Sequence, residues 1–159
     1  MSRDPYRAGM IKRDIFLQRR AIVGELVALM DSMLESRGLA LISPRSRAVL
    51  VNEMHELILT DEQHAGPDKT VNTVLAIGFV EIRTGGVILV GDEVLIGDIV
   101  IGKVAGFDVT HMPNHMNIVV AGERVRPKAK LGDEVIIAKR EGKDGAEFLK
   151  YSLIERMSP

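Results

Sequence analysis

Val87-Ile-Leu-Val-Gly-Asp-Glu-Val-Leu-Ile-Gly-Asp-Ile-Val-Ile-Gly-Lys-Val-Ala-Gly-Phe107 is the stretch whose reading decides the fold class. It holds three apolar runs, Val87 to Val90, Glu93 to Ile96 and Ile99 to Phe107, separated by Gly91-Asp92 and Gly97-Asp98. Short runs rich in Val and Ile read as strands, and glycine between them supplies the positive φ that tight hairpins require. A parallel sheet would need long helical crossovers, and this spacing leaves no room for them.

The same grammar extends outward. Downstream lie Met116 to Ala121, Glu134 to Ala138 and Phe148 to Leu153, punctuated by Gly132-Asp133 and Gly142 to Gly145. Upstream lie Val71 to Ile82, His55 to Thr60 and Leu39 to Ile42, with Gly85-Gly86, the loop-like 61–68 segment and the turn or helix-start chemistry of Ser43-Pro-Arg-Ser46 between them. The expected fold is mainly β: a small closed or partly closed antiparallel β-barrel with a short helical element. Val90-Gly-Asp-Glu-Val94 and Leu131-Gly-Asp-Glu-Val135 repeat one pattern, read as two similar turns that each launch a strand.

Ile15 to Leu34 fits two structures. As a helix it would be capped by Asp14 and ended by Gly38, with Ile15, Ile22, Leu26, Met30 and Met33 near one face. As a strand, Ala21 to Met30 sets Val23, Glu25, Val27 and Leu29 on one side and leaves Asp31 to Gly38 as a short helical turn. Gly24 weakens a helix, which favours the strand. Residues 1–13 mix charge with Pro5 and Gly9 and read as a flexible N-terminal arm, followed by a single domain over 14–159.

A chain of 159 residues can bury a sizeable core in one domain. It has no cysteine, which removes disulfides, thiolate nucleophiles and Cys-ligated zinc and suits a reducing cytoplasm. No apolar run follows the charged start, so no signal peptide is read, and none reaches the roughly 20 residues of a membrane helix. A cytoplasmic location is expected. Lys and Arg number 21 against 22 Asp and Glu, with no tryptophan and two tyrosines, so nucleic-acid binding is not expected. Arg124, Arg126, Lys128 and Lys130 would share a face if extended, but Pro127 makes the segment an edge or loop where such charges guard against strand pairing. Val and Ile fill both alternating sides between Val71 and Val120, more than a barrel with one wet face requires. Either the amino-terminal segment covers the outside or the protein is a homo-oligomer, and the latter is expected.

Polar chemistry concentrates in one loop: Asp108, Thr110, His111, Asn114, His115 and Asn117. These six, with His64 from a second loop, are the ligand-binding candidates. His111 and His115, with Asp108, are the metal candidates for zinc, nickel or ferrous iron, although Pro113 argues for a loop and no Glu follows His111. Asp108 could instead orient a general-base histidine, with Thr110 the nearest hydroxyl. The plainer alternative is that these side chains satisfy loop backbone groups, and His55 reads as a hydrogen-bonded strand histidine.

From Gly78 to Val135 the order is an apolar strand, Gly91-Asp-Glu-Val, a strand ending in Val-Ala-Gly, an Asp-containing loop, then Asn-His-Met-Asn-Ile-Val-Val-Ala-Gly122. It resembles the IIA component of the glucitol (sorbitol) phosphotransferase system, a small β-barrel. That resemblance implies a phosphate-accepting histidine on the upstream strand, where Phe79-Val-Glu-Ile82 offers Glu81, so the chain would be a degenerate relative. Ser36 to Pro44 and Thr110 to Ile118 look more like an uncharacterised bacterial family with no assigned activity. The expected function is therefore non-catalytic ligand binding or an accessory role with a small-molecule or protein partner, with a metal-dependent enzyme as the alternative.

Overall fold

Gly24 decides the ambiguous run. A Cβ there would come within 2.3 Å of Val80 Cγ1 and 2.9 Å of the Glu81 carbonyl oxygen, so only glycine lets the two strands approach so closely. The computed structural model describes residues 19–139, with Pro5 and Ala8–Met10. Among the described residues the chain forms β1 (Ile22–Leu34), β2 (Leu39–Ala40), β3 (Ser46–Val49), β4 (Met54–Thr60), β5 (Thr70–Val71), β6 (Val74–Thr84), β7 (Gly86–Leu89), β8 (Glu93–Ile96), β9 (Ile99–Asp108), β10 (Asn117–Ala121) and β11 (Glu134–Ala138).

Seven of these close into a ring in the order β1-β11-β8-β9-β10-β4-β6, while β2 pairs with β5 and β3 with β7 outside it. The expected all-antiparallel arrangement needs one correction. β10 runs parallel to β4, with Asn117 opposite Glu56 and Ala121 opposite Thr60. A parallel neighbour needs a long crossover, and here everything from β5 to β9 supplies it. The expected short helical element is also corrected, since no described residue is helical. Asp31 to Leu34 continue β1 instead, because Ser32, Met33 and Leu34 pair with Ala76, Leu75 and Val74 of β6. Most of the expected arm at 1–13, the Asp14 cap, the Gly142 to Gly145 turn and the Phe148 to Leu153 strand lie outside the described residues.

Alternation along each strand sorts its side chains between two cores. Leu57 and Leu59 of β4, Val80 and Ile82 of β6, Phe107 of β9 and Ile118 and Val120 of β10 point into the ring and fill it. Each such burial contributes roughly 1.5–3 kcal/mol. The alternate residues Ile58, Ala105 and Val119 point outward and pack with Leu39, Leu41, Val71 and Val74 in a second cluster. The β2–β5 pair is therefore the cover for that outer face. Apolar residues on both sides of these strands are explained within one chain, so they no longer argue for a second copy.

The repeated Gly-Asp-Glu-Val pattern forms one turn twice. Gly91 and Gly132 take φ of 98° and 88°, and the Asp92 and Asp133 carboxylates accept the Leu89 and Lys130 N–H groups, each at 2.9 Å. The strands they launch, β8 and β11, are antiparallel neighbours. The two aspartates differ in their distant partners: Arg19 donates to both Asp92 carboxylate oxygens at 2.7 and 2.6 Å, with both side chains buried, whereas the Asp133 carbonyl accepts the Leu26 N–H at 2.9 Å.

Candidate functional site

Register across four adjacent strands places Asp108 beside Asn117, Asn117 beside Glu56, and Glu56 beside Phe79. These four share the outer face, because Phe107, Ile118, Leu57 and Val80 next to them point inward. Further along the same face come Val119 and Ile58, covered by the β2–β5 pair. The row is thus a polar interruption on an otherwise apolar surface, and the 109–116 loop folds against it.

Asp108 is 1% exposed and fully engaged. Its carboxylate accepts from the Ala40 N–H at 3.1 Å, the Thr110 N–H at 3.1 Å, the Thr110 hydroxyl at 2.9 Å and Asn117 Nδ2 at 3.1 Å. An acceptor so occupied organises the loop. Thr110 spends its hydroxyl in the same place. Asn117 donates to Asp108, yet its own Oδ1 is buried with no hydrogen-bond partner. Buried polar atoms are paired as a rule, so an orphaned acceptor calls for an explanation.

His115 supplies a second orphan. Its Nδ1 lies 2.7 Å from Asn114 Oδ1. An amide oxygen only accepts, so a proton sits on Nδ1, and in the neutral ring Nε2 presents a lone pair. That Nε2 is buried without a hydrogen bond, 3.7 Å from the Glu56 carboxylate. The ring meets Phe79 edge-on at 5.1 Å and stacks on His111 at 4.9 Å, while Arg37 reaches to 3.4 Å from His111 Nε2. The loop closes on itself through the Asn114 N–H to the His111 carbonyl, and Met112–Pro113 is cis.

On the other side of β4, His55 points inward with Leu57 and Leu59 and is 2% exposed. Its Nδ1 accepts the Met116 N–H at 3.0 Å, and the Met116 carbonyl accepts the Glu56 N–H at 3.0 Å. Met116 is thereby tied twice to the start of β4. Burial pushes the His55 imidazole below its ordinary 6.5, and the Glu53 carboxylate, 3.6 Å from Nε2, offsets part of that.

Of the sequence candidates, the structure joins Asp108, Thr110 and Asn117 in one hydrogen-bond group and His111, Asn114 and His115 in another. The His111 and His115 rings stack on each other, and Asp108 is bonded to Ala40, Thr110 and Asn117. Among the described residues no group of three or more His, Cys, Asp or Glu is placed to hold a metal ion. His64 is exposed beyond Thr60, whose partner Ala121 lies at the far end of β10 from Asn117. Sequence reasoning missed Glu56, Phe79 and Arg37. Glu56 carried a signal, since it is a charge on the same strand face as the buried Ile58.

No described helix is long and apolar enough to cross a membrane. No curated protein and no solved structure matches the chain, so the likeness to the glucitol phosphotransferase component gains no support. Residues 16–140 match the model of DUF6917, a family of unknown function, and the chain belongs to that family.

Proposed function

We propose that the protein acts by binding rather than by catalysis, and that the row beneath the 109–116 loop takes a small molecule bearing a primary ammonium or a similar cluster of N–H donors. The observation that carries this reading is a set of acceptors without matching donors: Asn117 Oδ1 and His115 Nε2 are both buried and unpaired, Glu56 stands opposite Asn117 in the β4–β10 register, and its carboxylate lies 3.7 Å from His115 Nε2. Leaving such atoms unmet costs about 1–3 kcal/mol each, and a ligand supplying donors recovers that cost. Phe79 and His111 add flat apolar walls. General acid and base chemistry lacks its parts, because Asp108 and Thr110 are spent on each other. Phosphotransfer lacks an acceptor too, since Glu81 stands where an imidazole would be required and pairs with Arg83 at 2.7 Å.

Titrating isotope-labelled protein with ethylammonium tests the reading by nuclear magnetic resonance. Saturable shifts of the Asn117 side-chain amide and the His115 ring, lost in Glu56→Gln, are expected. Absent shifts, or shifts that survive in both Glu56→Gln and Asn117→Ala, overturn it. A parallel titration with Zn2+ that saturates at His111 and His115 would return the site to metal chemistry.

A further inference from the structure

We propose that His55 is a proton-operated latch that holds the 109–116 loop over the row, so that acidification frees the loop and opens the site. This rests on the binding reading for its purpose, but the latch itself is a property of the ligand-free chain.

A neutral imidazole has one nitrogen that accepts and one that donates. Met116 donates its N–H to His55 Nδ1, so Nδ1 must be the unprotonated nitrogen and the proton must sit on Nε2. Adding a second proton can only place it on Nδ1, where it faces the Met116 N–H and turns the bond into a donor–donor clash. One tether of Met116 is then lost, leaving the bond between the Glu56 N–H and the Met116 carbonyl as the remaining one. Met116 sits immediately beside His115, which covers the outer row, and immediately before Asn117, whose orphaned oxygen is fully buried. Access to that oxygen requires this part of the loop to move.

The surroundings favour a switch in the acid range. Glu53, in the turn before β4, faces Nε2 and favours the imidazolium, while Arg47 from β3 and His115 from the loop oppose it. β6 sets the uncharged Val80 opposite His55, and Glu56, the next residue on β4, points to the outer face. Burial tips this balance toward the neutral, latched form, consistent with the lowered proton affinity of the ring.

Following the Met116 amide and the His55 ring in ligand-free full-length protein between about pH 8 and pH 5 tests the latch across the ordinary histidine range. Both are expected to titrate with one midpoint. Met116 amide exchange, corrected for its intrinsic pH dependence, is expected to rise about fivefold below that midpoint, the equivalent of one ordinary hydrogen bond. His55→Asn keeps an acceptor near the Nδ1 position but cannot be protonated, so its Met116 amide should stay protected throughout. Glu53→Gln should lower the shared midpoint while leaving the fold intact, and it serves if His55→Asn does not fold. A Met116 amide that stays still while His55 titrates, a transition that persists in His55→Asn, or a midpoint unmoved in Glu53→Gln overturns the latch. Failure of the ethylammonium titration with a coupled His55–Met116 transition would remove the ligand and leave the latch standing.

Discussion

The two ends of β10 hold their connecting segments by different physics. At Asn117 the preceding loop is fastened by buried hydrogen bonds to the Asp108 carboxylate and the His55 imidazole. At Ala121 the following segment is fastened from outside, by Arg124 to Glu35 at 2.7 Å and by Arg126 to Asp31 at 2.9 Å and to the Met30 carbonyl at 2.5 Å. Asp31 and Glu35 are about three-quarters exposed, so water screens these pairs and each adds little. Beneath that segment, Ala129 packs against the main core, and Leu29, Leu75 and Ile77 line a small apolar gap with Arg126 and Pro127. Each end leaves a buried atom without a hydrogen bond, but of a different kind: at the ionic end it is a donor, Arg124 Nε, 3.7 Å from the oppositely charged Asp61 carboxylate, whereas at the loop end the unmet atoms are acceptors, Asn117 Oδ1 and His115 Nε2. Stability alone would not select that second arrangement, and this is the physical reason for placing function there.

The contrast predicts a ranked series of effects. Asp108→Ala should be the most damaging, since it strands the Ala40 and Thr110 N–H groups and the Asn117 amide together; a loss of about 3 kcal/mol or more is expected in denaturant unfolding. A loss below about 1 kcal/mol would mean that the loop is not anchored as described. Gly122→Ala marks the limit of tolerance at the ionic end: its Cβ would meet the Ile101 carbonyl oxygen, a backbone clash that cannot rotate away. A cost of about 1–3 kcal/mol is expected, and a neutral variant would show that the strand edges can separate freely.

Acidity should act selectively on the loop end. The folded His55 binds its proton less readily than the unfolded side chain at 6.5. Its contribution to stability is therefore fully present above pH 6.5 and is lost as pH falls through the lower folded value. Unfolding free energies measured across that range should fall more steeply with acidification in the wild type than in His55→Asn, and equal slopes would show that His55 contributes no such loss. The smallest effect belongs to Arg126→Ala, expected below about 1 kcal/mol and shrinking further near 1 M salt, where the screening length is about 3 Å. If Arg126→Ala proves costlier than Asp108→Ala, the ranking of the two ends is reversed.

Legibility in the sequence followed the range of the interactions. β8, β11 and the Gly-Asp turns that launch them were readable because both the alternation and the turn bonds are local: Asp92 and Asp133 each bond three residues back. The loop's candidates were readable as a concentration of polar residues. Their grouping was not, because Asp108 is completed by Ala40 and His115 is framed by Glu56 and Phe79, all distant in the chain. The stacking was not legible for the same reason: spacing between His111 and His115 says how far apart they are along the chain, not that their rings stack.

By itself, then, the sequence determined a β-rich chain with glycine turns and one polar loop, and only leaned toward a strand around Gly24. Only the tertiary structure decided that β10 lies parallel to β4, that the chain covers its own outer face, and that Asn117, Glu56 and His115 share one small volume. Local pattern encodes which face of a strand is buried, since alternation repeats every two residues. It does not encode which distant strand becomes the neighbour, because that choice is made by the packing of the whole core.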